Sequence, residues 1–371
     1  MRPEGGKVLT LVSHGLTRPD ETVLRALEAS DRHPRVSLFG DTLRSDMLDE
    51  KYLANAPSWR KAVYRLLPTA LAQVLEAFVV MKKYSAIISW TEKLGLPLAL
   101  LMKVTRRRVA HIGLFGWPAK GEKAFLLKHT YKQIDRIVMW STIQREKVVN
   151  ELNVPAERIA FIKWPVDQQF FRPMHMATDM ICAVGSEMRD YPTLFRALEG
   201  LDIPCHIAAG TQIDKKTKWM EAVEQETQLP AHVTVGKKSI LELRDLYARA
   251  RFVVIPLHET ETDNGVTCIL EAFAMGKPVI CSRTKGQIDV IDEGNTGLFV
   301  PVGNAEALRQ AILHLWTHPQ EAERMGIAAR QWVERHATLE GFVQTVQHIV
   351  ETVLDERGAS QRGQKIMHHS S

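Results

Sequence analysis

Short apolar runs separated by longer amphipathic stretches set the rhythm of this chain, and the alternation occurs twice. In the first half "KVLTLVSHG" (7–15), "RVSLFGD" (35–41), "YSAIISW" (84–90), "RRVAHIGLF" (107–115) and "IDRIVMWS" (134–141) read as strands. Helical spacing fills the gaps between them, and strands alternating with helices predict βα units on a parallel sheet. The periodicity breaks at "KWPVDQQFFRPM" (163–174), where two prolines and polar residues mark a boundary. It restarts with "MICAVGS" (180–186), "CHIAAG" (205–210), "HVTVG" (232–236), "RFVVIPL" (251–257), "PVICS" (278–282) and "GLFVP" (297–301). The expectation is therefore α/β throughout: two Rossmann-like parallel-sheet domains, 1–170 and 171–356, facing each other across a ligand-binding cleft. The last helices are expected to return to the first domain, and 357–371 reads as a disordered tail.

Composition fits that picture. With 371 residues, 45% hydrophobic and 25% charged, the chain has the makeup of a two-domain enzyme. Its longest apolar runs, such as "VLEAFVVM" and "LGLPLALLM", fall well short of the ~20 residues that span a bilayer. The N-terminus does not read as a signal peptide, so a cytoplasmic location is expected. Cys182, Cys205, Cys268 and Cys281 stand far apart in apolar surroundings and read as small core residues.

Charge adds an asymmetry. Residues 1–174 hold 28 Lys and Arg against 17 Asp and Glu, whereas the remainder holds 20 against 26. The basic excess lies in "SWRKAVYRLLP", "MKKYS", "KVTRRR" and "KGEKAFLLKHTYK". Such a surface suits an anionic lipid headgroup or an acidic acceptor, as on a protein peripheral to the inner face of a membrane, and the plainer reading is a solvated face. No nucleic-acid motif accompanies the charge.

Absences narrow the chemistry. No GxGxxG follows any strand, and Gly276–Pro278 lacks the other residues of a P-loop. His14, His111, His129 and His258 are scattered, so no metal is expected. Attention falls on "TDNGVTCILEAFAMGKPVI" (262–280), in which Val266, Ile269, Leu270, Phe273 and Ala274 form one buried stripe of a helix over about 265–275. Gly276 ends that helix and Pro278 prevents its restart. Asp263, Asn264 and Gly265 precede its first turn, where backbone N–H groups favour an anion such as phosphate. Glu271 falls on the flank of the stripe, in line with Thr267 and Asn264. A carboxylate there can accept two ribose hydroxyls while the amides hold a diphosphate and Asp263 takes sugar hydroxyls. An N-capping Asp263 and a solvated Glu271 would leave the same pattern.

The stretch resembles the donor-site signature of retaining GT-B glycosyltransferases of family 4, in which two glutamates are separated by seven residues. The second is Glu271, and Asp263 stands at the first. "VDQQFFRP" (166–173) is similar to the family's interdomain hinge, and "AVGSEMRDYPTLFRAL" (183–198) to its diphosphate segment, with Gly185 at the strand end and Arg189 where the family has lysine. "EGNTGLFVPVGNAEALRQAI" (293–312) continues the match. Ser186 replaces an arginine, and the loop after the first strand offers one glycine where the family has several. The resemblance implies a GT-B fold and metal-independent transfer, with retention, of a sugar from a UDP- or GDP-sugar to a lipid-linked or polysaccharide acceptor in cell-envelope synthesis. It implies donor contacts from Gly185, Arg189, Asn264, Gly265, Val266, Thr267 and Glu271, with Arg189, Asp263 and Glu271 catalytic. His111 is the candidate on the acceptor side, its alternative being a half-buried strand residue. The rival readings are a GT-B protein that binds a sugar nucleotide without transfer, and a GT-B epimerase or phosphorylase.

Overall fold

The computed structural model describes residues 7–12, 19–211 and 229–369. The chain divides into two compact units. One comprises Met1–Glu21, Val36–Lys163 and Glu340–Ser371, the other Thr22–Arg35 and Trp164–Leu339.

The first unit holds a six-stranded, all-parallel sheet in the order β2-β1-β3-β4-β5-β6. Its strands are β1 (Val8–Leu11), β2 (Ser45–Leu48), β3 (Ala86–Trp90), β4 (Ala110–Leu114), β5 (Arg136–Met139) and β6 (Ile159–Phe161). Leu9, Leu11, Ile87, Leu94 and Leu98 pack one buried cluster, and Phe115, Leu127, Ile137 and Met139 pack another. The run at 35–41, expected to be a strand, is instead the start of a helix at Leu38–Leu43. Phe39 and Leu43, four residues apart, are buried together as helical spacing requires, while Val36 stays exposed. Tertiary packing thus overrides the strand propensity of Val and Phe. One edge strand is β2, whose Ser45 and Asp46 keep it out of the apolar pattern. Residues 13–18, in the loop read for its single glycine, lie outside the described residues.

The closing helix, Leu339–His369, packs into this first unit. Phe342 lies near Phe39 and Trp90. Glu356 pairs with Arg136 at 2.6 Å, and Arg357 with Asp135 at 3.0 Å.

The second unit repeats the architecture in the order β12-β11-β10-β7-β8-β9, again all parallel. Its strands are β7 (Met180–Val184), β8 (Cys205–Thr211), β9 (Val233–Lys238), β10 (Ala250–Ile255), β11 (Val279–Ser282) and β12 (Gly297–Val300). Cys182, Val184, Val253 and Ile255 point into one core, and Ile181, Ala183, Phe252 and Val254 into the other. Two apolar faces are what a parallel sheet covered on both sides requires.

The "VDQQFFRP" segment is tied into this unit. Asp167 accepts hydrogen bonds from the Arg35 backbone N–H (2.6 Å), the Arg35 guanidinium (2.6 Å to Oδ1) and the N–H of Gln169 (3.1 Å). Phe170 and Phe171 enter the core, and Arg330 donates to the carbonyls of Gln168, Phe171 and Ala274.

Candidate functional site

The helix expected near 265–275 spans Val266–Ala274 and follows β10 through the loop 256–265. Ile269, Leu270, Phe273 and Ala274 are buried against the sheet, which fixes the helix's orientation. Burying the three large side chains among them stabilises by about 2 kcal/mol each. Gly265 precedes the helix at φ +93°, and no side chain caps the first turn. The Val266 N–H is taken by the Asp263 carbonyl (3.1 Å), which leaves the Thr267 and Cys268 N–H groups at the positive end of the helix dipole.

A second element brings a cation to the same place. β7 ends at Gly185 (φ +95°), and the chain turns through Met188 to Arg189. The turn is knitted to the β10 loop: Arg189 bridges Leu257, the Asp190 N–H donates to the Pro256 carbonyl, and the His258 N–H donates to the Met188 carbonyl. Arg189 is only 5% exposed. Its guanidinium donates to the carbonyls of Val184 (2.9 Å) and Glu187 (2.8 Å), and to Cys268 Sγ at 3.5 Å. A Cβ at Gly265 would lie 3.5 Å from that guanidinium, and one at Gly185 would lie 2.5 Å from it. Glycine at 185 is therefore needed to make room for the cation.

Among the described residues, no carboxylate lies within ion-pair distance of Arg189. Desolvating a guanidinium without a counter-charge is costly. Its position beside an uncapped helix N-terminus makes an anion the natural complement. Arg also matches a phosphate in bidentate geometry, as lysine cannot.

Glu271 sits farther along the same helix, half-buried, and accepts a hydrogen bond from the Tyr247 hydroxyl at 2.8 Å. Burial pushes its pKa up from 4.5 to about 7, against the opposing pull of the Tyr247 hydroxyl. Asp263 and Asn264 are buried at 4% exposure. The Asn264 side-chain oxygen accepts from Thr260 (2.9 Å) and from the Thr262 hydroxyl, so it laces the loop. Val266 and Thr267 open the helix, Thr267 exposed and Val266 partly so.

Gly185, Arg189, Asp263, Asn264, Gly265, Val266, Thr267 and Glu271 thus stand on two loops and one helix at the carboxyl ends of β7 and β10, where open α/β sheets bind ligands. His111 belongs to the first unit. It is fully buried at the second position of β4, with Nε2 2.8 Å from Ser89 Oγ and its backbone N–H on Asp135. Burial presses its pKa down to about 4. The structure brings His111 to no surface, because its strand is covered on both faces.

Three supporting residues were not read from the sequence. Gln287 is buried and donates to the carbonyls of Asn264 (3.1 Å) and Asp263 (3.4 Å), holding the loop from beneath. Tyr247 orients Glu271, and Cys268 meets the Arg189 guanidinium. The polar "TKGQ" directly after β11 was the available signal for Gln287, since a polar run at a strand's carboxyl end marks a site in this architecture.

Residues 189–318 match a family model described as Glycosyl transferases group 1. Similar proteins include D-rhamnosyltransferase WbpZ of Pseudomonas aeruginosa, 28% identical over 43% of this chain and 36% of that protein. A GDP-mannose-dependent alpha-mannosyltransferase of Mycobacterium tuberculosis is 34% identical over 29% of this chain and 27% of that protein. The matches thus span little more than a third of these relatives at most. Among solved structures, sucrose-phosphate synthase from Thermosynechococcus elongatus superposes with a TM-score of 0.73 at 16% identity, covering 95% of this chain and 100% of that one. Anabaena Alr3699/HepE in complex with UDP gives 0.66 at 14% identity, over 93% and 100%. Two parallel six-stranded sheets and these likenesses make the fold GT-B. The matches support a group 1 glycosyl transferase family.

Proposed function

We propose that this chain is a retaining glycosyltransferase that moves a sugar from a nucleoside diphosphate sugar to a lipid-linked or polysaccharide acceptor in cell-envelope synthesis, working at the inner face of a membrane. The observation that carries the reading is the buried guanidinium of Arg189, without a carboxylate partner among the described residues, beside the uncapped N-terminus of the Val266–Ala274 helix. A diphosphate placed there meets one full positive charge and the helix dipole together.

The chemistry follows from that placement. As the glycosidic bond breaks, negative charge grows on the departing diphosphate, and fixed donors aimed at it lower the barrier without reorganising. Arg189 and the N–H groups of the first helical turn supply this stabilisation, which is the basis for reading the reaction as metal-independent. A diphosphate oxygen takes the acceptor's proton, so no side-chain base is required. Glu271 accepts the two ribose hydroxyls, and Asp263 takes sugar hydroxyls beside the bond that breaks. Gly185 and Gly265 let the phosphates approach the backbone, with Asn264, Val266 and Thr267 forming the wall of the pocket.

UDP and GDP are the bases to examine first, because the Anabaena neighbour is known with UDP-glucose and the Mycobacterium tuberculosis relative is GDP-mannose-dependent. A thermal-shift panel of UDP, GDP, ADP and their sugar conjugates, run without added metal, tests the reading, since a ligand of the folded state raises its melting temperature. One nucleotide family should raise it, and Glu271→Ala should abolish the shift. A flat response across the panel would sink the donor assignment. Binding without sugar transfer would leave the binding-only reading, for which Asp263 and Ser186 are the sequence departures.

A further inference from the structure

We propose that the segment Thr22–Arg35 is a strap that regulates the donor site, its ion pairs holding the helix Ile240–Arg249 so that Tyr247 keeps Glu271 in place. The inference rests on the donor reading of Glu271 and adds to it a control from outside the site.

The chain leaves the first unit after Glu21 and re-enters it at Val36, and the residues between group with the second unit. Little apolar surface secures them there. Leu24 is the one buried residue of the segment, and Val23 is 52% exposed. The attachment is ionic instead. The helix Glu21–Ala29 ends in a turn where the Arg32 N–H donates to the Leu27 carbonyl at 2.8 Å and Asp31 takes φ +57°. From that turn the Asp31 carboxylate meets two arginines: Arg172 grips it in bidentate fashion at 2.6 and 3.1 Å, and Arg244 reaches it at 3.1 Å. At the other end of the segment Arg35 binds Asp167. An element held by a few charges and almost no buried apolar area opens locally before the rest of the fold. The side chains of Arg172 and Asp31 are 48% and 42% exposed, so salt weakens their pairing.

The strap's grip leads to the donor carboxylate. Arg244 precedes Tyr247 by one turn of the helix Ile240–Arg249 and shares its face. The Arg244 guanidinium stacks over Phe170 at 4.4 Å. Phe170 meets Phe171 edge-on at 5.0 Å, Phe171 meets Tyr247 edge-on at 6.1 Å, and the Tyr247 hydroxyl donates to Glu271. All three rings are buried, and rings packed this closely do not shift singly. The strap also holds both ends of the stretch that carries the two phenylalanines, Asp167 through Arg35 and Arg172 through Asp31. Releasing Asp31 therefore frees Arg244 and the aromatic row together, and Tyr247 loses its fixed approach to Glu271. Asp31, Arg172 and Arg244 are positioning residues in this scheme, acting through Tyr247.

Two readouts on the full-length protein test it. Trypsin cleavage after Arg32, identified by mass spectrometry and normalised to a peptide substrate, reports the strap. It should be slow at low salt, at least about fivefold faster at roughly 0.5 M salt, and fast even at low salt in Asp31→Asn. Asparagine tolerates the left-handed backbone, so this variant removes the charge without adding strain. Titration calorimetry with UDP and with GDP reports the site. Asp31→Asn should weaken the nucleotide that the wild type binds by at least about threefold, and the loss should vanish when Tyr247→Phe is the parent, because residues of one network are not additive. A merely structural role would weaken binding equally in both parents. The proposal is overturned if Asp31→Asn is cleaved at the wild-type rate, if its nucleotide affinity is unchanged, or if the loss persists in the Tyr247→Phe parent. A wild type that binds neither nucleotide would instead overturn the donor reading, and this inference with it.

Discussion

Replacing Glu271 by glutamine should make the protein more stable and less able to hold its ligand. Burial raises the folded-state pKa of this carboxyl to about 7 from an ordinary 4.5. On the relation between pKa and free energy, that displacement penalises the ionised form by about 3 kcal/mol. Glu271 is half-buried, and solvent screening at its open edge reduces the figure to about 1–2 kcal/mol. The sign is opposite to that of a salt-bridged carboxylate. Below pH ~4.5 both states hold the proton and nothing is lost; the penalty grows as pH rises and is complete above pH ~7. Glutamine keeps an oxygen for the Tyr247 hydroxyl and carries no charge. Thermal unfolding of both proteins from pH 5 to pH 9 should show the variant's advantage widening with pH and levelling off near pH 8, at about 3–6 °C. An advantage that is absent, or constant with pH, would refute the claim that Glu271 is a strained carboxylate kept for binding. Stability held back at a functional position is a common trade.

Other consequences follow from the same geometry. Ribose hydroxyls bind the ionised carboxylate, so affinity for the donor nucleotide should improve as pH rises through about 7 and flatten above it; titration calorimetry in buffers of different ionisation enthalpy should detect the released proton. Gly185→Ala would place a Cβ 2.5 Å from the Arg189 guanidinium on a backbone at φ +95°, so nucleotide affinity should fall at least about tenfold. Arg60→Ala leaves Glu76 buried without its counter-charge and should cost about 3 kcal/mol in denaturant unfolding. Asp167 is held below the usual carboxylate range because its bonds to Arg35 outweigh the opposing effect of burial. Asp167→Asn should therefore lose stability at neutral pH, with the gap to wild type closing as pH falls through the folded-state pKa of Asp167.

The second unit was far more legible than the first. Its central strands are compact apolar runs, and the Val266–Ala274 helix carries its stripe and its Gly-Lys-Pro stop in the open. Local pattern and tertiary role agree there, so reading one gives the other. In the first unit, Phe39 looks like a strand residue until the helix that buries it with Leu43 is seen, and β2, half of it polar, does not register. Residues 22–35 group with the second unit, and no local signal marks that crossing. Within the site, the positions of Arg189 and Glu271 were accessible through spacing. The contacts of Tyr247 and Gln287 were not, because they join residues 24 and 23 positions apart. His111 attracted notice as a chemically capable residue, yet its setting inside β4 is decided by burial that sequence spacing does not report.

The central claim is that Arg189 and the N-terminus of the Val266–Ala274 helix form the diphosphate subsite of a sugar-nucleotide donor. Calorimetric titration of UDP and GDP, with and without the attached sugar, into the wild type and Arg189→Ala tests it most directly. The account expects metal-free binding of one nucleotide family by the wild type and at least about tenfold weaker binding by the variant, roughly 1.4 kcal/mol. Equal affinity in the two proteins, with the variant still folded, would contradict it and place the anion elsewhere.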